Sequence, residues 1–258
     1  MTTLGTVHRD HIDTQVGALA GRGITKTFGP VTALDSVNFS AHYRRVLALL
    51  GDNGAGKTTL IKILSGVLQP DSGELLMDGV VTHFRTPAYA RRSGIATVFQ
   101  DLAVCDLLSI TRNIVLGNEP RIRLGPIALY NAPEADRIAL DALNRLGARI
   151  DRDLSSYART LSGGERQALA IARAMYYGSK CLILDEPTAS LAARQATGVL
   201  NHVRAAADAG QAVILITHNY PQALSVADDI IILAHGAVAG TFRRGDITAE
   251  DVMTLVAR

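Results

Sequence analysis

Cysteine is scarce in this sequence, which has only Cys105 and Cys181 among its 258 residues. The second lies inside the apolar run of residues 181–184, where a thiol usually behaves as a small hydrophobe. So few cysteines argue against a scaffold held together by disulfides and suit a protein of the reducing cytosol.

Long hydrophobic runs are also absent. Residues 1–17 are polar, carry Asp10 and Asp13, and lack the apolar segment of a secretory signal, so we interpret them as a flexible N-terminal leader. No uninterrupted apolar stretch is long enough to cross a bilayer. Any connection to a membrane is therefore expected to run through a partner chain.

The chain has no marked excess of charge of either sign. Its 26 basic and 24 acidic residues leave a net charge of +2, too near balance for the basic surface of a nucleic-acid-binding protein. No nucleic-acid partner is therefore predicted. Because 48% of the residues are hydrophobic, the chain can bury a full core, and we expect residues 18–258 to form one domain.

The most informative stretch is a glycine-rich loop that fits the pattern G-x-x-x-x-G-K-[ST]. It follows the apolar run 46–50 and precedes a helix-like stretch, residues 58–68, so a buried strand leads into the loop and a helix leaves it. Glycines let backbone N–H groups surround a phosphate, Lys57 would reach the β- and γ-phosphates, and the Thr58 hydroxyl would bind Mg²⁺. The alternative is a glycine turn that merely caps a helix. The loop predicts a nucleoside triphosphate bound with Mg²⁺, in contact with Gly51, Asp52, Asn53, Gly54, Ala55, Gly56, Lys57, Thr58 and Thr59.

The order of predicted elements indicates an α/β fold. Strands and helices alternate from residue 180 to residue 234, which is typical of a parallel sheet flanked by helices. A small antiparallel sheet beside this core is predicted from short strands at 19–24, 32–39, 74–77 and 80–84. No strand is predicted between residues 107 and 177, which carry helical patterns at 109–116, 133–146 and 163–177. We expect a core and β lobe formed by residues 18–100 and 178–258, with a helical lobe inserted at about 101–177.

Two acids follow an apolar stretch at residues 182–184. Asp185 and Glu186 would stand at the carboxyl end of a strand, where open α/β sheets bind ligands. Asp185 would join the Mg²⁺ shell, and Glu186 would act as general base toward an attacking water. Seen alone, the pair could equally be two solvated acids at a strand end.

A second glycine pair opens a predicted helix. Ser162 and Glu165 form an S-x-x-E capping box, which by itself explains this stretch structurally. The functional alternative is that Ser162 and the amides of Gly163 and Gly164 form a second anion site at the helix N-terminus. Two anion sites so far apart in sequence suggest a nucleotide held between two copies of the chain.

The order of these motifs resembles that of the ATP-binding cassette (ABC) family. The phosphate loop, Leu161-Ser162-Gly163-Gly164-Glu165, residues 182–188 and Ile216-Thr217-His218 follow one another as they do there, and the resemblance extends from about residue 19 onward. It implies a RecA-like P-loop core with an antiparallel β lobe and an inserted α-helical lobe. It also implies a head-to-tail dimer with two ATP molecules between the subunits.

The resemblance assigns roles to individual residues. Gln100 would be the hinge glutamine that senses Mg²⁺ and water, and His218 the switch histidine that contacts the γ-phosphate, so the implied catalytic residues are Glu186, His218 and Gln100. The implied Mg²⁺ contacts are Thr58, Gln100 and Asp185. Phe28 would stack on adenine, although a lone Phe is more often part of a core. The residues that would contact the ATP of the partner subunit are Ser162, Gly163, Gly164 and Glu165.

Further stretches are similar to the ATPase subunits of bacterial monosaccharide importers of the ribose, xylose and fructose kind. They are residues 100–106, residues 113–119 and His218-Asn219, together with the phosphate loop. The resemblance implies a peripheral ATPase on the cytoplasmic face of the inner membrane that powers sugar import. Its partners would be a second copy or another ABC ATPase, a transmembrane permease and, indirectly, an extracytoplasmic sugar-binding protein.

The alternatives are a soluble ABC ATPase that acts on ribosomes or DNA and a P-loop kinase of small molecules. The first usually carries a second cassette, long coiled-coil insertions or zinc-binding cysteines, and none is visible in the sequence. The second would need neither the Ser162 motif nor His218.

Two positions depart from the family pattern. Glu165 stands where the family usually has Gln, which retains the capping geometry but puts an acid near phosphate. Ala192 stands where most members place Asp, which removes a polar contact across the dimer and bears on how tightly the two sites communicate.

Overall fold

The computed structural model describes residues 17–124 and 126–256, so all of the predicted leader except Gly17 lies outside the described residues. The strands are β1 (Leu19–Phe28), β2 (Val31–Ala41), β3 (Val46–Leu50), β4 (Ser72–Met77), β5 (Val80–Thr82), β6 (Ile95–Val98), β7 (Arg121–Leu124), β8 (Ile127–Tyr130), β9 (Cys181–Asp185), β10 (Ala212–Thr217), β11 (Asp229–Ala234) and β12 (Ala237–Arg243). The α-helices are α1 (Lys57–Leu64), α2 (Pro87–Arg92), α3 (Ile110–Val115), α4 (Ala132–Arg145), α5 (Gly163–Tyr176), α6 (Ala193–Asp208), α7 (Tyr220–Val226) and α8 (Ala249–Val256). Among these helices none is long and apolar enough to cross a membrane.

The central sheet has six strands in the order β12-β11-β3-β10-β9-β6. Its neighbouring strands are parallel, except that β12 pairs antiparallel with β11. Every residue of β3 and of β10 is buried. Because helices or a second sheet cover both faces of such strands, the strands read in the sequence as continuous apolar runs.

The side chains of β3 show how the two faces of the sheet are covered. Leu47 and Leu49 join a cluster formed with α1 and the antiparallel sheet. Val46, Ala48 and Leu50 point the other way and join a cluster formed with α5, α6, α7 and α8. This alternation places the central sheet between two layers and leaves the strand ends free to build a site.

The antiparallel sheet has the order β2-β1-β4-β5. Strand β1, predicted to end at residue 24, continues to Phe28 with register shifts against β2 between Gly21 and Thr27. Such bulges break the alternation of apolar and polar residues, which explains why the sequence pattern indicates a shorter strand. Helix α1 is shorter than predicted, because Ser65 caps it and Gly66 follows with a φ of 73°, a left-handed conformation that commonly ends helices.

The expectation of no strand between residues 107 and 177 is wrong. Helices α3, α4 and α5 are present and pack on one another, but β7 and β8 form an antiparallel hairpin between α3 and α4. The register pairs Ile122 with Leu129 and Leu124 with Ile127, so these four exposed side chains share one face of the ribbon. Residues 121–124 alternate arginine with Ile122 and Leu124, which is a strand pattern, but four residues are too few to outweigh the helical patterns on either side.

Candidate functional site

A cleft of about 490 Å³ opens at the carboxyl ends of the parallel strands. The segments that follow β3, β6, β9 and β10 reach it, and these strands lie side by side in the sheet. Open α/β sheets bind their ligands at this edge. Its lining residues are Val31, Thr32, Ala33, Asn53, Gly54, Gly56, Lys57, Thr58, Thr59, Gln100, Asp185, Glu186, Ala189 and His218.

The glycine loop runs from β3 into α1 and needs glycine for steric reasons. A Cβ on Gly51 would lie 2.3 Å from the Leu233 carbonyl oxygen. Gly56 has a φ of 102° and is the N-cap of α1, with no side-chain hydrogen bond to the first turn of the helix. The first backbone N–H groups of α1 therefore lack a side-chain cap, as expected where a helix N-terminus receives an anion.

Lys57 folds back onto its own loop. Its Nζ donates hydrogen bonds to the carbonyl oxygens of Gly51 at 2.6 Å and Asp52 at 2.9 Å. Burial lowers the pKa of this ammonium group, and the charges of Glu186, Asp52 and Asp185 partly offset that effect. A phosphate in the cleft would compete with the two carbonyls for the same ammonium group.

Asp185 ends β9 and is partly buried in the cleft. Burial raises the pKa of its carboxyl group, the negative charge of Glu186 raises it further, and Lys57 opposes both effects. A carboxylate that is desolvated beside another acid favours a cation. Together with the Thr58 hydroxyl and the Gln100 amide in the same lining, it forms a set of oxygen donors that fits Mg²⁺.

Glu186 is held by the loop that follows β10. Its Oε1 accepts hydrogen bonds from the His218 backbone N–H at 3.0 Å and from His218 Nδ1 at 2.7 Å. Its Oε2 accepts a hydrogen bond from the Thr217 hydroxyl at 3.0 Å. Three of about four lone-pair positions on the carboxylate are thus occupied, which leaves room for one further donor such as water.

The Ser162 motif lies outside the lining of this cleft. The Ser162 side chain accepts a hydrogen bond from the Glu165 backbone N–H at 3.4 Å, and Glu165 Oε2 accepts one from the Ser162 N–H at 2.8 Å. The predicted capping box is therefore present. Within one chain, Ser162, Gly163, Gly164 and Glu165 do not line the cleft that holds Lys57 and Glu186, so their contact with nucleotide stays a prediction.

Phe28 also lies outside the lining. It ends β1, its side chain is exposed, and the Lys26 ammonium lies 5.7 Å from the centre of its ring. Of the predicted loop contacts, Gly51, Asp52 and Ala55 are likewise not lining residues. Stacking of Phe28 on a base stays a prediction.

Sequence reasoning missed several residues at this site. Val31, Thr32 and Ala33 at the start of β2 and Ala189 after β9 line the cleft. The turn 29–30 that precedes β2 was visible in the sequence, but the pairing that carries β2 over the phosphate loop was not. Tyr220 was also missed, and it donates a hydrogen bond to Asp52.

The sequence matches the model of the ABC transporter family over residues 34–189. This chain belongs to the ABC transporter family. It is 39% identical to the fructose import ATP-binding protein of Rhizobium meliloti, covering 92% of this chain and 93% of the relative. It is 40% identical to the xylose/arabinose import ATP-binding protein of Sulfolobus acidocaldarius, covering 90% of each. A ribose import ATP-binding protein of Geobacillus kaustophilus is 36% identical over 91% of this chain but only 47% of its own length, so the chain spans about half of that relative.

Solved structures agree on the fold. The nucleotide-free ATP-binding cassette of an ABC transporter superposes with a TM-score of 0.77 at 24% identity, covering 93% of this chain and 95% of the cassette. A dimeric bacterial ABC transporter cassette gives a TM-score of 0.70 at 23% identity, covering 87% of this chain and 98% of the cassette. The family and the fold predicted from the order of the motifs are confirmed.

Proposed function

We propose that this chain is the ATP-hydrolysing subunit that powers import of a sugar through a membrane permease. The observation that carries the proposal is the meeting of Lys57, Asp185, Glu186 and His218 in one cleft at the sheet edge. The printed names of the relatives add the transport role, since they are import ATP-binding proteins for fructose, xylose or arabinose, and ribose. A soluble ATPase that acts on ribosomes or DNA is not favoured.

The chemistry follows from the groups in the cleft. The backbone N–H groups of the loop and the Lys57 ammonium bind the phosphates of ATP. Glu186 accepts the proton of a water whose oxygen attacks the γ-phosphorus, while the bond from that phosphorus to the ADP oxygen breaks. His218 lies next to Glu186 and steadies the transferred phosphoryl group.

Thr58, Asp185 and Gln100 are the residues that would hold Mg²⁺. When bound, the ion neutralises charge on the phosphate oxygens. The raised pKa of the Asp185 carboxyl group supports this assignment, because a cation beside the carboxylate would relieve the cost of its desolvation.

We also propose that each complete site needs two chains. The phosphate loop before α1 would bind ATP from one side. A second copy, or another ABC ATPase, would contact the same ATP from the other side through Ser162, Gly163, Gly164 and Glu165. In support, these four residues lie outside the cleft of their own chain. Phe28, at the rim formed by the turn before β2, would stack on adenine.

Mixing two damaged proteins tests the shared site. Lys57→Ala removes the ammonium group of the phosphate loop from both sites of a homodimer. Ser162→Arg blocks the Ser162 motif in both sites. In the mixed dimer, both lesions fall on one site and the other site is intact. ATP-dependent dimerisation should therefore return in the mixture, with some hydrolysis. If labelled subunits exchange and no dimer is regained, the shared-site proposal is wrong.

The permease would dock at a second cleft, of about 590 Å³, between β6 and α5. The exposed side chains of Val67, Phe99 and Leu116 line it, together with Arg91 and Arg173. Apolar walls with two arginines suit a short helix that carries an acidic residue. Phe99→Asp should reduce recovery with permease-containing membranes and leave ATP hydrolysis by the purified chain unchanged. Equal recovery of the variant and the unaltered chain would place the contact elsewhere.

Transport itself is tested in cells that lack this chain. Labelled fructose, xylose and ribose are supplied in turn, and uptake of one of these sugars should fall. The unaltered chain should restore that uptake, and Glu186→Gln should not. Unchanged uptake of all monosaccharides tried would contradict the sugar-import role while leaving ATP hydrolysis to be measured separately. The extracytoplasmic sugar-binding protein and the position on the cytoplasmic face of the inner membrane belong to the same proposal.

A further inference from the structure

Tyr220 touches the phosphate loop from the loop that follows β10. It is the first residue of α7, its side chain is only 8% exposed, and its hydroxyl donates a hydrogen bond to Asp52 Oδ1 at 2.7 Å. The two residues meet because Leu50 and Thr217 are in register on the parallel strands β3 and β10. The loops that leave these two strands therefore run side by side.

The switch loop, residues 217–220, is thereby held by an acid at each end. His218 and Thr217 donate to Glu186, and Tyr220 donates to Asp52. Only His218 and Asn219 separate the end of β10 from the start of α7, and Asn219 is itself fixed as the N-cap of that helix. Because this segment is so short and both flanking elements are fixed, a displacement of the backbone at one end also moves the other end.

Asp52 is also linked to the group that would bind phosphate. Its backbone oxygen accepts hydrogen bonds from Lys57 Nζ and from the Ala55 N–H. When Lys57 turns to a phosphate, Asp52 loses one of these donors while Tyr220 still holds its carboxylate. The hydroxyl of Tyr220 is thus the direct link between the loop that binds triphosphate and the loop that carries His218.

We propose that Tyr220 is a positioning residue, whose hydrogen bond to Asp52 sets the distance between the phosphate loop and the switch loop and so aligns His218 and Glu186 with the bound triphosphate. The inference rests on the proposed ATP hydrolysis. It concerns the hydroxyl alone, because the ring packs in the core with its neighbours and would do so equally well in phenylalanine.

The chain offers a matched control. The Tyr43 hydroxyl donates to Asp78 Oδ1 at the same distance of 2.7 Å, and neither residue lines the cleft. Tyr220→Phe and Tyr43→Phe each remove one hydroxyl bonded to one carboxylate. Because Tyr43 is 41% exposed and Tyr220 only 8%, the unfolding free energy of each variant is measured beside its kcat, so that a folding loss is separated from a loss of activity.

For Tyr220→Phe we expect kcat to fall about tenfold, as for loss of a hydrogen bond to a charged group. KM for MgATP should change less than about twofold, because Lys57 and the loop N–H groups remain. Tyr43→Phe should leave both constants unchanged. Asp52→Ala should reproduce the fall in kcat, and Asp52→Asn should rescue most of it, since the amide keeps an acceptor oxygen.

The double variant Tyr220→Phe with Asp52→Ala decides whether the two groups act as one contact. We expect its kcat to be no lower than that of the slower single variant. Additive losses, or a Tyr220→Phe protein with the kcat of Tyr43→Phe, would overturn the inference while leaving the proposed function intact. Failure of the unaltered chain to hydrolyse ATP would overturn the proposed function first.

Discussion

Helix α1 follows a glycine and helix α5 begins with two glycines, yet their N-termini are built in different ways. The N-cap of α1 is Gly56, in a left-handed conformation and without a side-chain cap. The N-cap of α5 is Ser162, which exchanges hydrogen bonds with Glu165 in a complete capping box. The first end is shaped by backbone alone and lies in the cleft, whereas the second is already satisfied by its own side chains.

This difference separates the two proposed anion sites. At α1, binding a phosphate does not require breaking a side-chain cap, and the neighbouring Lys57 only has to leave two carbonyl oxygens. At α5, the Ser162 hydroxyl accepts a hydrogen bond from the Glu165 N–H and keeps its own O–H for a phosphate, but that phosphate would approach the Glu165 carboxylate. We therefore expect α1 to dominate affinity, and α5 to contribute mainly to ATP-dependent association of two chains.

The largest effect is expected at the acid that faces the α1 site. Glu186→Gln should lower the hydrolysis rate by about a hundredfold or more, because the proton acceptor for water is lost. ATP binding should persist, so nucleotide would accumulate in a stable dimer. Glu74→Gln on the exposed part of β4 is the matched control and should be fully active. Near-normal turnover by Glu186→Gln would assign the general base to another residue.

The two helix ends can be compared directly by unfolding. Gly56→Ala should destabilise the protein by about 1–3 kcal/mol, since its φ is 102° and a Cβ would lie 2.5 Å from the Ala33 carbonyl oxygen. Ser162→Ala should cost about 1 kcal/mol, as for loss of an N-cap.

Gly198→Ala is the control for this pair, because Gly198 lies inside α6 and an added Cβ would meet only open space. This change should stabilise the protein by about 0.5–1 kcal/mol. Urea denaturation measures the three variants. A larger loss in Ser162→Ala than in Gly56→Ala would reverse the ranking of the two helix ends.

The pH dependence of stability tests the charge state of the α1 site. Because the pKa of the Asp185 carboxyl group is raised in the fold, its ionised form destabilises the nucleotide-free protein above that pKa. The penalty disappears as the pH falls from the raised value to the ordinary one. Asp185→Asn should therefore raise the melting temperature at pH 7 and have no effect at acidic pH.

Asp71→Asn supplies a control of opposite sign. The hydrogen bond from Lys26, followed by those from Thr27, lowers the pKa of Asp71 to about 2. Loss of the Asp71 carboxylate should lower the melting temperature slightly at pH 7. The difference should shrink as the pH falls toward the lowered pKa of Asp71. A drop in melting temperature for Asp185→Asn at pH 7 would contradict the assignment of Asp185 as a desolvated, cation-seeking group.

The α1 site could be predicted because its parts are local. A strand, a glycine loop and a helix follow one another within residues 46–64, and each has its own pattern. Tyr220 and Asp52 are 168 residues apart in sequence, and only the register of β3 against β10 brings them together. The β7–β8 hairpin escaped prediction for a different reason, since each strand has only four residues and helical patterns flank the pair on both sides. The proposed contribution of α5 to a site needs a second chain, which no pattern in one sequence can place.

Phe28→Ala tests the side of the α1 site that sequence resemblance assigns to adenine. ATP binding should weaken by about 1–2 kcal/mol if the ring stacks on the base. Folding should be unaffected because the side chain is exposed. Titration with ATP, beside Tyr89→Ala as an exposed aromatic control outside the cleft, measures the change. Equal ATP affinity of the two variants would mean that another residue contacts adenine. Val31, which lines the cleft, is the first candidate.

The smallest effect is expected at the acid of the α5 end. Glu165→Gln keeps a side-chain oxygen for the Ser162 N–H and so preserves the capping box, while it removes a negative charge from the surface that would face phosphate. The ATP concentration needed for dimerisation should fall about two- to fivefold, as for one exposed charge, and the gain should shrink as salt is added. Glu165→Ala removes both the charge and the capping side chain. Its unfolding free energy reports the loss of the cap, and the ATP concentration needed for its dimerisation reports the loss of the charge. If Glu165→Gln and the unaltered chain dimerise at the same ATP concentration at low salt, the carboxylate stays turned back to its own helix and the α5 end meets phosphate through its backbone alone.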